Sequence, residues 1–211
     1  MIKVFDLTLP IRNNMLVWQG DSPPSLSQIA TVKKHGVALS QFNFGSHTGT
    51  HVDAPKHFLT KGKGVNKISL EKLIGNCRVL DLTHLKGNEI LASDLKPFGI
   101  KEGDRILFKT GNFRLLKKKS FPKTYVSLSL EASRFLVQKK INLVGTDFLG
   151  IEKKSSPGHP VHKALLSKGI VIVEGLDLEK IPQGKYKIIC LPLRVDSDGS
   201  PARVVLISQK V

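Results

Sequence analysis

Cysteine is almost missing from this chain. The two present in 211 residues, Cys77 and Cys190, sit among aliphatic neighbours with no Cys or His close by. That excludes a disulfide scaffold and a CxxC metal knuckle, and it fits a reducing cytosol. Long apolar runs are missing too. None approaches the roughly 18 residues needed to cross a bilayer. In Met1-Ile2-Lys3-Val4-Phe5-Asp6 the acid interrupts the first apolar run before it can grow, so no signal-peptide layout develops and a cytoplasmic location is expected. Aromatic residues are sparse at 6 %, with a single tryptophan. There is no internal repeat, no GxSxG nucleophile elbow, and no helix-turn-helix or zinc-finger pattern. Acidic residues are the last scarcity: 17 Asp plus Glu stand against 33 Lys plus Arg, a net charge of +16. A basic chain attracts phosphate. Here, however, the clusters Lys117-Lys118-Lys119, Lys139-Lys140 and Lys153-Lys154 are short, and none alternates with rings as a base-stacking platform would. The charge therefore reads as a solvated lysine-rich surface, with neither nucleic acid nor membrane expected as a partner.

What is present suffices for a globular core. Apolar residues make up 40 % of the chain, and its length suits one domain spanning residues 1–211. Segments rich in β-branched residues predict strands at Ile2–Thr8, Val37–Phe44, Cys77–Thr83, Arg105–Thr110, Ile141–Thr146, Gly169–Glu174, Lys185–Leu191 and Arg203–Ile207. Helices are expected at Ile90–Lys96, stopped before Pro97; at Ser129–Lys140, opened by Ser129; and at Pro160–Lys168, stopped by Gly169. The second half alternates strand and helix, while the first half is rich in strands and loops. The pattern predicts an α/β or α+β domain with a mixed β-sheet flanked by helices. Gly111–Thr124 carries the longest lysine run and no periodicity, and it reads as an exposed loop.

Chemistry concentrates in the histidines. Three of seven fall within His47-Thr48-Gly49-Thr50-His51-Val52-Asp53-Ala54-Pro55-Lys56-His57. In an extended segment His51, Asp53, Pro55 and His57 share one face. Gly49 permits a bend that returns His47 beside His51. Two imidazoles and a carboxylate converging in this way make a site for Zn²⁺ or Mn²⁺ with positions left for water.

The run HxGTHxDxPxHF, complete here through Phe58, resembles the signature of the cyclase family of metal-dependent hydrolases, which includes bacterial kynurenine formamidases and isatin hydrolases. Three other stretches agree with that family. Trp18-Gln19-Gly20-Asp21 is similar to its WPGD loop, with Gln19 in place of proline. Ser156–Leu166 resembles its downstream histidine segment, and Gly169–Leu176 the strand bearing a late glutamate.

The resemblance implies a swivelling β/β/α-like fold and a homodimer. It also implies a first metal on His47, His51 and Asp53, and a second on Asp53, His162 and Glu174, with Asp53 bridging; one or two Zn²⁺ or Mn²⁺ ions per chain follow. A glutamate behind Val171, Ile172 and Val173 is costly to bury unpaired, unless Glu174 simply ends its strand in solvent. His57 is assigned to proton transfer, the alternatives being a further ligand or an orienting residue. His159 either caps the helix or lines the pocket. Trp18, ordinarily a core residue, is read as a stacking wall for a planar substrate. Asp147 either orients a ligand or caps a turn. The expected activity is hydrolysis of a small-molecule amide of the arylformamide type, with isatin-type cyclic amides as the alternative and a basic nucleic-acid binder behind both.

Overall fold

Twelve strands and five short helices run through residues 2–208, the portion described by the computed structural model. The strands are β1 (Val4–Asp6), β2 (Ser25–Ala30), β3 (Leu39–Asn43), β4 (His51–Asp53), β5 (Ile74–Asp81), β6 (Glu89–Ile90), β7 (Arg105–Lys109), β8 (Ser127–Leu128), β9 (Leu143–Thr146), β10 (Val171–Glu174), β11 (Gly184–Pro192) and β12 (Gly199–Ser208). The helices are α1 (Val32–His35), α2 (Leu70–Leu73), α3 (Ala92–Leu95), α4 (Leu130–Gln138) and α5 (Pro160–Leu166).

Eight strands form one sheet in the order β1-β12-β11-β5-β7-β9-β10-β4. The long β12 pairs with β4 through its first residues and with β1 through its last, so the sheet curls round and closes. Pairing is parallel across β5, β7, β9 and β10 and antiparallel elsewhere, which is the expected mixed sheet.

Side-chain alternation explains the two cores. Val79, Leu107, Leu143 and Val173 pack together on one face with Val52, Ile188 and Val204. Their neighbours Leu80, Ile106, Phe108, Val144 and Ile172 pack on the other face against Leu136 of α4 and Leu165 of α5. Successive residues of a strand point to opposite faces, so strands buried on both sides read as the unbroken apolar runs seen in the sequence. Ser129 caps α4, its hydroxyl accepting from the Ala132 amide at 3.0 Å.

Four details differ from the sequence reading. The segment through the histidines is extended only to Asp53; Pro55–His57 winds into a 3₁₀ turn, since Pro55 fixes φ and suits the first position of a turn. The stretch after Gly111 is not wholly exposed, because Asn112–Lys117 forms a 3₁₀ helix that buries Asn112 and Phe113. Pro97 does not end the local helical structure but sits inside a following turn, Lys96–Phe98. Strand β2 had no expectation attached to it. It pairs with β3 as a separate hairpin, Ser25 opposite Asn43, and carries only intermediate and exposed side chains.

Candidate metal centre

The seam of the closed sheet carries the chemistry. In β4, Val52 turns into the core, which sends His51 and Asp53 to the other face. The antiparallel pairing with β10 sets His51 opposite Glu174. Glycines make the close approaches possible: a Cβ at Gly175 would strike the Gly49 backbone, and one at Gly199 would meet the His47 ring. Gly49 has φ +68°, the left-handed bend that brings His47 back to His51, with ring centroids 5.0 Å apart. Helix α5 adds His162 in its first turn.

These groups converge on Asp53. His47 Nδ1 lies 2.9 Å and His51 Nε2 3.4 Å from Asp53 Oδ1, while His162 Nε2 is 3.8 Å from Oδ2. Glu174 closes the set, its oxygens 3.5 Å from His51 Nε2 and 3.4 Å from His162 Nε2. His51, Asp53, His162 and Glu174 are all buried. Glu174 therefore does not end its strand in solvent. Its Oε1 also accepts the Ile151 amide at 2.6 Å.

The electrostatics calls for a cation. Burial opposes charge on His51, yet the carboxylates of Asp53 and Glu174 push its pKa up to about 10. Burial likewise opposes charge on His162, which Glu152 and Glu174 raise to about 10. Asp53 is held well below the ordinary carboxylate range by His47 and His51, in spite of its burial. Even so, Asp53 Oδ2 has no hydrogen-bond partner, one of two such buried side-chain atoms among the described residues. A buried carboxylate oxygen without a donor is expensive. Imidazole nitrogens and carboxylate oxygens around it are the donor set that Zn²⁺ or Mn²⁺ takes. The residues fit such an ion: His47, Asp53 and His57, and separately His51, Asp53 and Glu174, can each bring three ligand atoms within 4.8 Å of one another.

His57 lies beside this cluster, its ring stacked on His47 at 3.9 Å. Its Nδ1 is 3.4 Å from Asp198 Oδ2, and burial lowers its pKa, leaving a neutral imidazole at neutral pH. His159 caps α5 in a left-handed conformation, φ 52°, with its ring 4.8 Å from Phe58 at the cavity wall. It holds the N-cap position of α5 without a side-chain hydrogen bond to the helix. The cavity itself holds about 260 Å³ and is lined by the histidines, Phe58, Leu149 and Trp18. Trp18 meets Phe121 edge to face at 4.9 Å and lies against Gly150, where a Cβ would overlap its ring. Asp147 stands apart from this lining. It is fully buried and accepts from the amides of Thr110 (3.0 Å) and Gly111 (2.9 Å), so it caps the turn after β7.

Two participants carry no sequence signal. Glu152 is buried between Ile151 and Lys153; it accepts from the Val161 amide at 3.0 Å and lies 2.6 Å from His162 Nδ1. With His159 and His162 it forms a third group able to bring ligand atoms together. Asp198 lies 2.9 Å from His47 Nε2 and follows Asp196 in what reads as an ordinary turn before β12.

Comparison with known proteins identifies relatives of the whole chain. The profile of the Cyclase family, described as "Putative cyclase", matches residues 5–153. The kynurenine formamidase of Bacillus cereus (strain ATCC 14579) is 32 % identical over 203 residues, 95 % of each chain. That of Bacillus anthracis is 31 % identical over 206 residues, 97 % of each. A solved structure described as a potential metal-dependent hydrolase with cyclase activity superposes with a TM-score of 0.88 at 36 % identity, covering all of both chains. Isatin hydrolase A from Labrenzia aggregata, bound to benzyl benzoate, shares the fold at a TM-score of 0.89 and 21 % identity, over 99 % of this chain and 94 % of its own.

Proposed function

The chain belongs to the cyclase family of metal-dependent hydrolases, and from that premise we propose that it hydrolyses amide bonds, with an aryl formamide of the N-formylkynurenine type as substrate. The observation that carries this reading is the partnerless Asp53 Oδ2 at the centre of His51, His162 and Glu174. His47, His51 and Asp53 would hold one Zn²⁺ or Mn²⁺, and Asp53, His162 and Glu174 a second. A divalent cation bound there acidifies water and polarises a carbonyl.

The chain's own residues do the rest. The flat ring of Trp18, with Phe58 and Leu149, forms an apolar wall for a planar aryl group and keeps water from it. Glu152 orients His162 and Asp198 orients His47, as carboxylates behind ligating imidazoles do. His57, half-buried and with its pKa lowered by that burial, takes a proton from the attacking water and returns it to the departing nitrogen, which leaves badly as an anion.

We also take the chain as one domain over residues 1–211 and as a homodimer. The hairpin of β2 and β3 supports association: Ile29, Leu39 and Phe42 are exposed on it, and its strands carry no charge in a chain of net charge +16. The charges of the connecting segment, Lys33 and Lys34, lie in α1 outside the two strands. The two cysteines are buried and unpaired, which supports a cytoplasmic location.

The test is elemental analysis of protein purified without chelator, together with a panel of formyl and cyclic amides. One or two ions per chain and cleavage of aryl formamides are expected. His51→Ala should empty the site. His57→Ala should keep the metal and lose on the order of 10²-fold or more in turnover. Opening of isatin-like rings alone overturns the formamidase reading, and a metal-free active protein overturns the whole of it.

A further inference from the structure

Beside the catalytic cavity lies a second opening of about 550 Å³. Lys153 and Lys154 line both spaces and form the partition between them. Lys123 also lines the second opening, and Glu89 is the single acid in its lining. Among the described residues, the lysines with a carboxylate oxygen within 4.0 Å are Lys56, Lys117 and Lys140, so the three cleft lysines are not neutralised in this way. The floor adds one neutral donor. Ser127 is buried, and its hydroxyl donates to the Asn88 carbonyl over a long 3.4 Å. The Tyr125 hydroxyl donates to the Glu152 carbonyl at 2.6 Å, which ties this floor to the loop carrying the carboxylate behind His162.

The Lys154 ammonium is engaged by the Gln19 side-chain oxygen and lies over the Phe121 ring, which leaves Lys123 and Lys153 as the cations of this concave, partly apolar surface, where like charges focus a positive field. An anion of more than one charge is drawn to that field, and a hydroxyl can add a hydrogen bond. Nothing in amide hydrolysis calls for such a feature. We propose that this cleft is a binding site for a small multivalent oxyanion (phosphate, sulfate or polycarboxylate chemistry), next to the catalytic cavity and separate from its metal ligands.

The test is calorimetric titration of the metal-loaded protein with benzene-1,3-disulfonate, a dianion that ligates metals poorly. Binding of about one molecule per chain with a submillimolar Kd is expected. The double variant K123M/K153M should weaken it about tenfold or more, the loss expected from two charge-assisted contacts. K123R/K153R should retain it. K185M/K187M removes the same charge from exposed positions on β11 that line neither space, and should change Kd less than about twofold. Equal weakening by both methionine doubles assigns the effect to the general field of the chain and overturns the site. No binding by the parent protein up to about 10 mM also overturns it. Displacement by a carboxylate-bearing formanilide, but not by its methyl ester, upholds the site and identifies the anion as part of a substrate. Displacement by inorganic sulfate alone upholds it for a free oxyanion. Because binding is read without turnover, failure of the amidase reading leaves this result standing, and the reverse also holds.

Discussion

At the scale of single residues the centre is a balance of buried charges, and Glu152 is the one that most repays attention. It holds His162 Nδ1 at 2.6 Å and accepts from the first turn of α5, so one carboxylate sets both the ring and the helix that carries it. Glu152→Gln keeps an acceptor for the helix but loses the charge behind the imidazole. It should lower metal affinity about 10- to 100-fold, measured by competition with a chromogenic chelator, while thermal stability of the metal-saturated protein changes little. The HxGTHxDxPxHF run made His47, His51, Asp53 and His57 legible, because ligands close in sequence need only one bend. Glu152 and Asp198 were not legible. Glu152 meets His162 ten residues on, across a loop with no regular period, and Asp198 meets His47 only once β4 and β12 are paired, 151 residues apart; neither acid sits in a pattern that distinguishes it from an exposed one.

At the scale of elements, alternation and buried runs carried the reading of the fold. Strands β7, β9 and β10 were evident as short β-branched stretches because both of their faces are covered. The hairpin strand β2 was missed. Its residues Ser25–Ala30 are mostly small or polar, and no buried face imposes a period on them. That exposed hairpin makes a prediction. Replacing Leu39 and Phe42 together by serine should weaken dimerisation by at least about a hundredfold, since each buried apolar side chain contributes about 1.5–3 kcal/mol. Light scattering after size-exclusion chromatography should then find monomers with unchanged metal content. A second prediction concerns the cap after β7. Burial pushes Asp147 up to about 6, above its ordinary value of 3.8, against the pull of its bonds to Thr110 and Gly111. The folded chain therefore binds this proton more tightly than the unfolded one between those limits. Its contribution is greatest below pH 4 and declines as pH rises to about 6. Relative to Asp147→Asn, the parent protein should lose up to roughly 3 kcal/mol across that window, read as a pH-dependent difference between the two melting curves.

At the scale of the whole molecule, excess positive charge sits on the surface while a negative cluster lies at the seam of the barrel. The cluster needs cations of one kind or another. In chelator-treated protein His51 and His162, pushed up to about 10, supply them as protons. A metal must displace those protons, so its affinity should climb with pH up to about 10. Isothermal titration in buffers of different ionisation enthalpy should count the protons released; a flat profile would exclude these imidazoles as ligands. The same seam bears on how the molecule comes apart. Strand β4 has only three residues, and it joins β10 and β12, whose sequences lie near the opposite end of the chain. Such pairings are the slowest to form, because the intervening chain must first be ordered. The metal ligands meet only when that last strand is in register. A bound ion therefore has little to hold in a half-folded chain and acts after closure, as a rivet across the join. It should leave the refolding rate nearly untouched while slowing unfolding, with the amides of β4 and β10 the first to lose protection from hydrogen exchange once it is withdrawn.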